Sequence, residues 1–315
     1  MMRWGLFVRW GLLAAIIVVV VSSLSGISQD ASTDPMEARA IITAKAEELR
    51  IAPINARIDR VWKAIPGYNG LEVDIEETLK RYLHHPDAGS LPVVFREIEP
   101  DIRLADLAPS PIYKGNSQKP MIAFMVNVAW GNEYIPSIRK TLQDEQVKAT
   151  FFLDGSWLKK NKDIAEQLLK DGHELSNHAY SHKMMSQLSR SQASEEIRKT
   201  EELLKELGVN NRLFAPPSGD YDEETVQIAR EFKLYTVLWT LDTVDWKKPS
   251  SRWVYERITT RLEPGAMILM HPTQASSESL QAMIQFAKQQ GYTVGTVSEL
   301  LSERRLRSVE QSAQK

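Results

Sequence analysis

From Met121 onward, short apolar runs of strand character alternate with longer runs of helical spacing, six of each in succession. Residues 121–128, 149–153, 213–214, 235–239, 267–270 and 292–294 predict strands, and 135–145, 162–171, 191–207, 223–232, 251–262 and 276–289 predict helices. The alternation therefore predicts an α/β fold with a mainly parallel sheet or barrel. In such folds ligands bind at the carboxyl ends of the strands, which is where the chain's chemistry should be sought.

The segments before residue 113 are of other kinds. Arg3 and Arg9 precede an apolar run over 10–21, the pattern of an export signal. The run is shorter than the roughly 20 residues of a full span and is followed by small residues at 23–25, which fits a removed signal peptide over 1–28. Leu24 and Ile27 extend it, which fits a retained anchor. Either outcome places the remainder outside the cytoplasm, membrane-anchored or secreted, with the membrane as a partner through this segment. Residues 29–112 read as a polar linker and a small α/β module, with helices near 36–50 and 77–83 and a PGYNG turn at 66–70. His84 and His85 are adjacent before Pro86, so they end a helix and point apart on a solvated surface. A single domain is expected over 113–305, with a polar tail over 306–315.

Composition narrows the chemistry. Lys and Arg total 39 against 41 Asp and Glu, a net charge of -2, which offers no basic excess for a nucleic acid partner. The chain contains no cysteine, so thiolate metal sites, cysteine nucleophiles and disulfides are excluded. Any metal must be held by imidazole and carboxylate, and there are six histidines.

Two of them, His178 and His182 in SNHAYSHK, are spaced i, i+4, which in a helical turn puts both imidazoles on one face for a divalent ion. Asp242, Asp245 and Trp246 close a strand in WTLDTVDW, and His271 closes another in ILMHP. A strand-end histidine near strand-end carboxylates is the arrangement of an oriented acid-base imidazole. Taken singly, each is equally the pattern of a strand-end cap or a satisfied core histidine.

Taken together and in order, these motifs resemble the polysaccharide deacetylase family, the NodB homology domain, and most closely its sporulation-associated branch. The resemblance covers about 119–301. It implies a distorted (β/α) barrel and metal-dependent hydrolysis of acetyl groups on glycans such as chitin, xylan or peptidoglycan. By this resemblance His178 and His182 are metal ligands for zinc or a similar divalent ion, His271 is the general acid and Asp245 its partner. Trp246 walls the substrate groove, APPSG at 215–219 places Ala215 and Pro217 beside it, and Trp130 is a further aromatic candidate for glycan contact.

The first motif departs from the family. Where active members carry two aspartates, a general base and a third metal ligand, IAFMVNVAWGNEY places Asn127 and Val128. A carboxamide is not a base near neutral pH, and valine has no lone pair to offer a metal. Ala215 stands where the arginine that pairs with the base belongs. The linked losses imply a dismantled catalytic site on a scaffold that binds cell-wall glycan, peptidoglycan or chitin-like. Two alternatives remain open from the residues: an active deacetylase in which Glu133 or Asp154 supplies the missing carboxylate, and a non-catalytic interaction scaffold at the membrane.

Overall fold

The structure, a computed structural model, describes residues 34–85 and 90–306. The apolar run at 10–21 and residues 307–315 of the tail lie outside the described residues, and no described helix is long and apolar enough to cross a membrane. In chain order the elements are α1 (Pro35–Leu49), β1 (Arg57–Asp59), β2 (Lys63–Ile65), β3 (Gly70–Val73), α2 (Ile75–His84), β4 (Phe95–Ile98), β5 (Met121–Val128), α3 (Ile135–Asp144), β6 (Thr150–Leu153), α4 (Gly155–Lys160), α5 (Lys162–Lys170) and β7 (Glu174–Asn177). They continue with α6 (Arg190–Glu206), β8 (Leu213–Phe214), α7 (Glu223–Glu231), β9 (Tyr235–Thr236), β10 (Leu241–Asp242), α8 (Ser251–Thr259), β11 (Met267–Met270), α9 (Gln274–Gln289), β12 (Thr293–Gly295) and α10 (Val297–Leu301).

The described chain divides into two compact units. The smaller contains 34–54, Asn69–Pro100 and 304–306, and the larger Asn55–Tyr68 and Asp101–Glu303. In the smaller, Asp34 and Asp74 cap α1 and α2 by accepting from Met36 N and Glu77 N. The two helices bury Ala38, Ile42, Leu49 and Leu79 in one cluster with Val73, Leu91 and Val93, and β3 pairs antiparallel with β4. His84 and His85 are exposed at the end of α2, as their solvated reading requires.

The boundary expected at residue 112 does not coincide with either unit. Residues 55–68 and 101–112 pack with the larger unit because hydrogen bonds hold them there: Ala64 N donates to Pro111 O, Asn116 Nδ2 donates to Pro66 O, and Ile112 bridges both Lys63 and Val237.

The larger unit is built on one parallel sheet in the order β10-β11-β5-β6-β7-β8-β9, with β12 also paired to β5. Its two end strands are joined by residues 237–240 alone. Laid flat, the path from β9 to β10 crosses six interstrand steps of about 4.8 Å, roughly 29 Å. The four connecting residues reach about 17 Å at full extension. The sheet must therefore curl toward closure, and Thr240 N donating to Met267 O marks where the chain rejoins the far edge.

Every residue of β5 is buried. Its side chains alternate, so Ile122, Phe124, Val126 and Val128 enter the cluster shared with α3, α8 and α9, while Asn127 faces the opposite side. β7 is a strand that apolar patterning does not reveal. Its sequence ELSN is polar, yet Ser176 and Asn177 are fully buried and satisfied, Ser176 Oγ by Leu213 O and Asn177 Nδ2 by Ile197 O and Glu201.

Candidate functional site

The loops leaving β5, β7, β8, β10 and β11 surround a cleft of about 460 Å³. Asn127, Ala129 and Trp130 line it from β5, His178 and His182 from β7, Ser218 from the turn after β8, and Trp239, Asp242 and Trp246 from the strand and turn around β10. Leu269 and His271 complete it.

His178 is 1% exposed, and its Nδ1 lies 2.7 Å from Ala215 O. A carbonyl only accepts, so Nδ1 carries the proton and Nε2 is left with a free lone pair. Burial, then the neighbouring His182, pushes the pKa of His178 down to about 3, which keeps it neutral. His182 is exposed, and the two ring centroids are 5.2 Å apart with planes at 76°. The pair does not sit in a helical turn as the spacing suggested. Ala179 and His182 both have positive φ, 58° and 55°, and the segment is an irregular loop. Glu196 of α6 pins that loop: its carboxylate accepts from Tyr180 N at 3.1 Å, Ser181 N at 2.7 Å and Ser181 Oγ at 2.7 Å. No feature of the sequence singles out Glu196, which reads as one acid among many on a charged helix.

On the other side, Asp245 Oδ1 accepts from His271 Nδ1 at 2.8 Å and Oδ2 from the His271 backbone N at 2.7 Å. Ser276 Oγ adds a further bond to Oδ2. Burial works against ionisation of Asp245, but the bonds from His271 and Ser276 outweigh it and hold its pKa below the usual carboxylate value. The ionised carboxylate fixes the His271 tautomer and orientation, which is the support an acid-base imidazole requires. Trp130 stacks on His271 with centroids 5.9 Å apart and planes 9° from parallel. Gly131 makes this approach possible: it has φ 85°, and a Cβ there would lie 2.1 Å from Pro272 O.

The base side is different in kind. Asn127 is 4% exposed at the floor of the cleft, and its buried Oδ1 has no hydrogen-bond partner among the described residues. Leaving such an acceptor unmet costs about 1–3 kcal/mol. Val128 is fully buried in the apolar core and does not line the cleft. Ala215 is fully buried and acts through its main chain as the acceptor for His178. Pro217 is buried outside the cleft lining, and its neighbour Ser218 takes that place. Tyr180 also lies outside the lining, whereas Trp130, Trp239 and Trp246 belong to it.

The described residues contain no group of three His, Asp or Glu side chains that could hold a metal ion. His178 and His182 offer two imidazoles where catalytic zinc normally has three protein ligands. The donor set does not fit the family's metal. The expectation that Glu133 or Asp154 supplies the missing ligand is corrected by the same geometry. Glu133 is exposed on a short turn. Asp154 is buried as the cap of α4, where Oδ1 accepts from both Trp157 N and Ser156 Oγ while Oδ2 has no partner among the described residues, and it belongs to no group of three side chains that could hold a metal ion. Burial raises its pKa despite those bonds.

The curled parallel sheet and these strand-end residues define a class, and comparison with known proteins agrees: the Polysaccharide deacetylase family profile matches residues 114–237, and the chain belongs to that family. BA3943 of Bacillus anthracis, a CE4 family pseudoenzyme, is 41% identical, covering 85% of this chain and 96% of that one with a TM-score of 0.78. A BA3943 mutant with restored enzymatic activity matches with the same TM-score. The uncharacterized protein YlxY of Bacillus subtilis is 47% identical over 88% of this chain and 86% of its own length. A peptidoglycan-N-acetylglucosamine deacetylase of Bacillus cereus is 32% identical over 57% of this chain and 67% of its own.

Proposed function

We propose that this chain is exported and holds cell-wall glycan in its cleft without efficient hydrolysis of acetyl groups. The observation that carries the reading is Asn127: the cleft keeps an oriented His271–Asp245 pair, but a carboxamide stands where a base must take a proton from water. Removing a general base costs about two to four orders of magnitude in rate. The missing third ligand at Val128 supports weak retention of zinc or a similar ion, since two imidazoles are left to hold it.

The glycan is peptidoglycan or a chitin-like polymer, a reading supported by the peptidoglycan deacetylase among the relatives. Trp130 and Trp246 are 47% and 53% exposed at the cleft and offer flat apolar faces to sugar rings. The N-terminal pattern of Arg3, Arg9 and the apolar run supports placement outside the cytoplasm, anchored to the membrane or released from it. The test is cosedimentation of the protein with insoluble peptidoglycan, with acetate measured in the same tubes. Retention without acetate is expected. No retention, or acetate at the rate of an active relative, overturns the reading.

A further inference from the structure

The hairpin of β1 and β2 presents a surface that the cleft does not use. Among the described residues eight large hydrophobic side chains are exposed, and three of them, Ile58, Val61 and Ile102, gather here. Ile102 is held beside the start of β1, where its carbonyl accepts from Ala56 N and its N donates to Asn55 Oδ1. Single exposed hydrophobics are ordinary, but a cluster rimmed by polar groups marks a contact surface.

The ladder itself turns these residues outward. Arg57 pairs with Ile65 and Ile58 with Ala64; Ala64 and Ile65 are buried whereas Arg57 and Ile58 are exposed, so β2 packs on the unit and β1 forms its outer edge. At the turn Asp59 Oδ1 accepts from Val61 N at 2.8 Å and Trp62 N at 2.9 Å, which commits the acid to its own backbone and fixes Val61, 68% exposed, at the tip. Trp62 secures the turn from beneath, half-buried with Lys114 Nζ 5.2 Å from its ring centroid. Arg57, Arg60 and Lys63 are exposed, and none of them makes an ion pair among the described residues. Three cations against one acid give residues 57–63 a charge of +2 in a chain whose net charge is -2.

Aliphatic side chains set among unpaired cations complement one kind of surface, in which anionic phosphates lie directly over acyl chains. A soluble polyanion would engage the cations and leave Ile58, Val61 and Ile102 in water. We propose that the β1–β2 hairpin, with Ile58, Val61 and Ile102 beside Arg57, Arg60 and Lys63, docks on an anionic phospholipid membrane. The proposal shares with the reading above only the placement of the chain outside the cytoplasm, and what the cleft holds does not enter it.

The chain has no cysteine, so one introduced thiol reports from one place. Val61→Cys in the full chain, labelled with a polarity-sensitive nitrobenzoxadiazole dye, is compared with Ala282→Cys on the exposed side of α9. The apolar run at 10–21 can itself hold the chain to a vesicle, so the readout is the surroundings of the dye and not binding as such. On vesicles of equal parts phosphatidylglycerol and phosphatidylcholine, the dye at 61 is expected to shift its emission to the blue while the dye at 282 stays as in water. Adding Arg57→Gln, Arg60→Gln and Lys63→Gln is expected to lower the fraction of dye in contact by about tenfold or more. A dye at 61 that stays in water overturns the proposal, as does an equal shift at 282, on phosphatidylcholine alone, or after the three substitutions. A shift produced by soluble poly(glycerol phosphate) and not by vesicles also overturns it, in favour of a wall polymer. None of these outcomes bears on retention by peptidoglycan, which is measured separately.

Discussion

Trp130 lies flat against His271, its ring plane 9° from parallel at a centroid distance of 5.9 Å, while remaining 47% exposed. One face of the indole is thus committed to the imidazole and part of the rest is open to the cleft. Trp130→Ala is expected to weaken glycan binding by about tenfold, with a change in thermal midpoint of less than about 3 °C, because the ring is not part of the core. Titration and a thermal scan on the same preparation check this. An unchanged affinity would remove Trp130 from the binding surface.

Gly131 permits that stack, and its positive φ and close approach to Pro272 leave no room for a side chain. Gly131→Ala forces a side chain into positive φ and drives a Cβ toward Pro272 O, at 2.1 Å without adjustment. A loss of more than about 1 kcal/mol in unfolding free energy is expected, together with weakened glycan binding as Trp130 is displaced. Urea unfolding measures the first and titration the second.

Glu196 gathers the loop that carries His182 through three hydrogen bonds to Tyr180 and Ser181. Glu196→Gln retains the shape but surrenders the charge and one acceptor. A cost of about 1–3 kcal/mol and faster amide exchange at 180–182 are expected, with exchange in β5 unchanged. Exchange that stays slow across the loop would show that the carboxylate does not hold it.

His173 predicts the pH response. It is 5% exposed, accepts from Ala149 N at Nδ1 and packs on Phe151. Burial, followed by the nearby Lys148, lowers its pKa from 6.5 to about 4. Between those values the unfolded chain binds a proton that the folded chain does not. The contribution is therefore full above about pH 6.5 and declines as pH falls toward 4, by on the order of 1–2 kcal/mol at pH 5. Urea midpoints near neutral pH and near pH 5 should differ in that direction, and His173→Gln should reduce the difference. A pH slope unchanged by His173→Gln would contradict the assignment.

The sequence exposes those parts of the fold whose strands are apolar. β5, β8 and β11 fall where continuous hydrophobic runs place them, since both faces of the sheet are covered. β7 escapes because its polar residues are satisfied by buried partners that lie 20 to 37 residues away, which no local pattern encodes. The site follows the same division. His178, His182, Asp242, His271 and Trp246 converge as strand-end residues should, and Asp245 stands directly behind His271. The helical geometry inferred for the histidine pair fails because Ala179 and His182 adopt positive φ, a conformation stabilised by Glu196 from a separate helix. Asn127 is legible as a substitution, but its orphaned acceptor is visible only in the folded chain.

The cleft keeps the oriented His271–Asp245 pair, while Asn127 and Val128 stand where the family's base and third ligand belong. Acetate release from N-acetylchitopentaose, compared between the parent and a variant carrying Asn127→Asp, Val128→Asp and Ala215→Arg with zinc supplied to both, tests most directly the reading that these replacements suppress hydrolysis. No release above background by the parent and a gain of about two orders of magnitude or more by the variant are expected. Release by the parent at a rate matching the variant would contradict that reading.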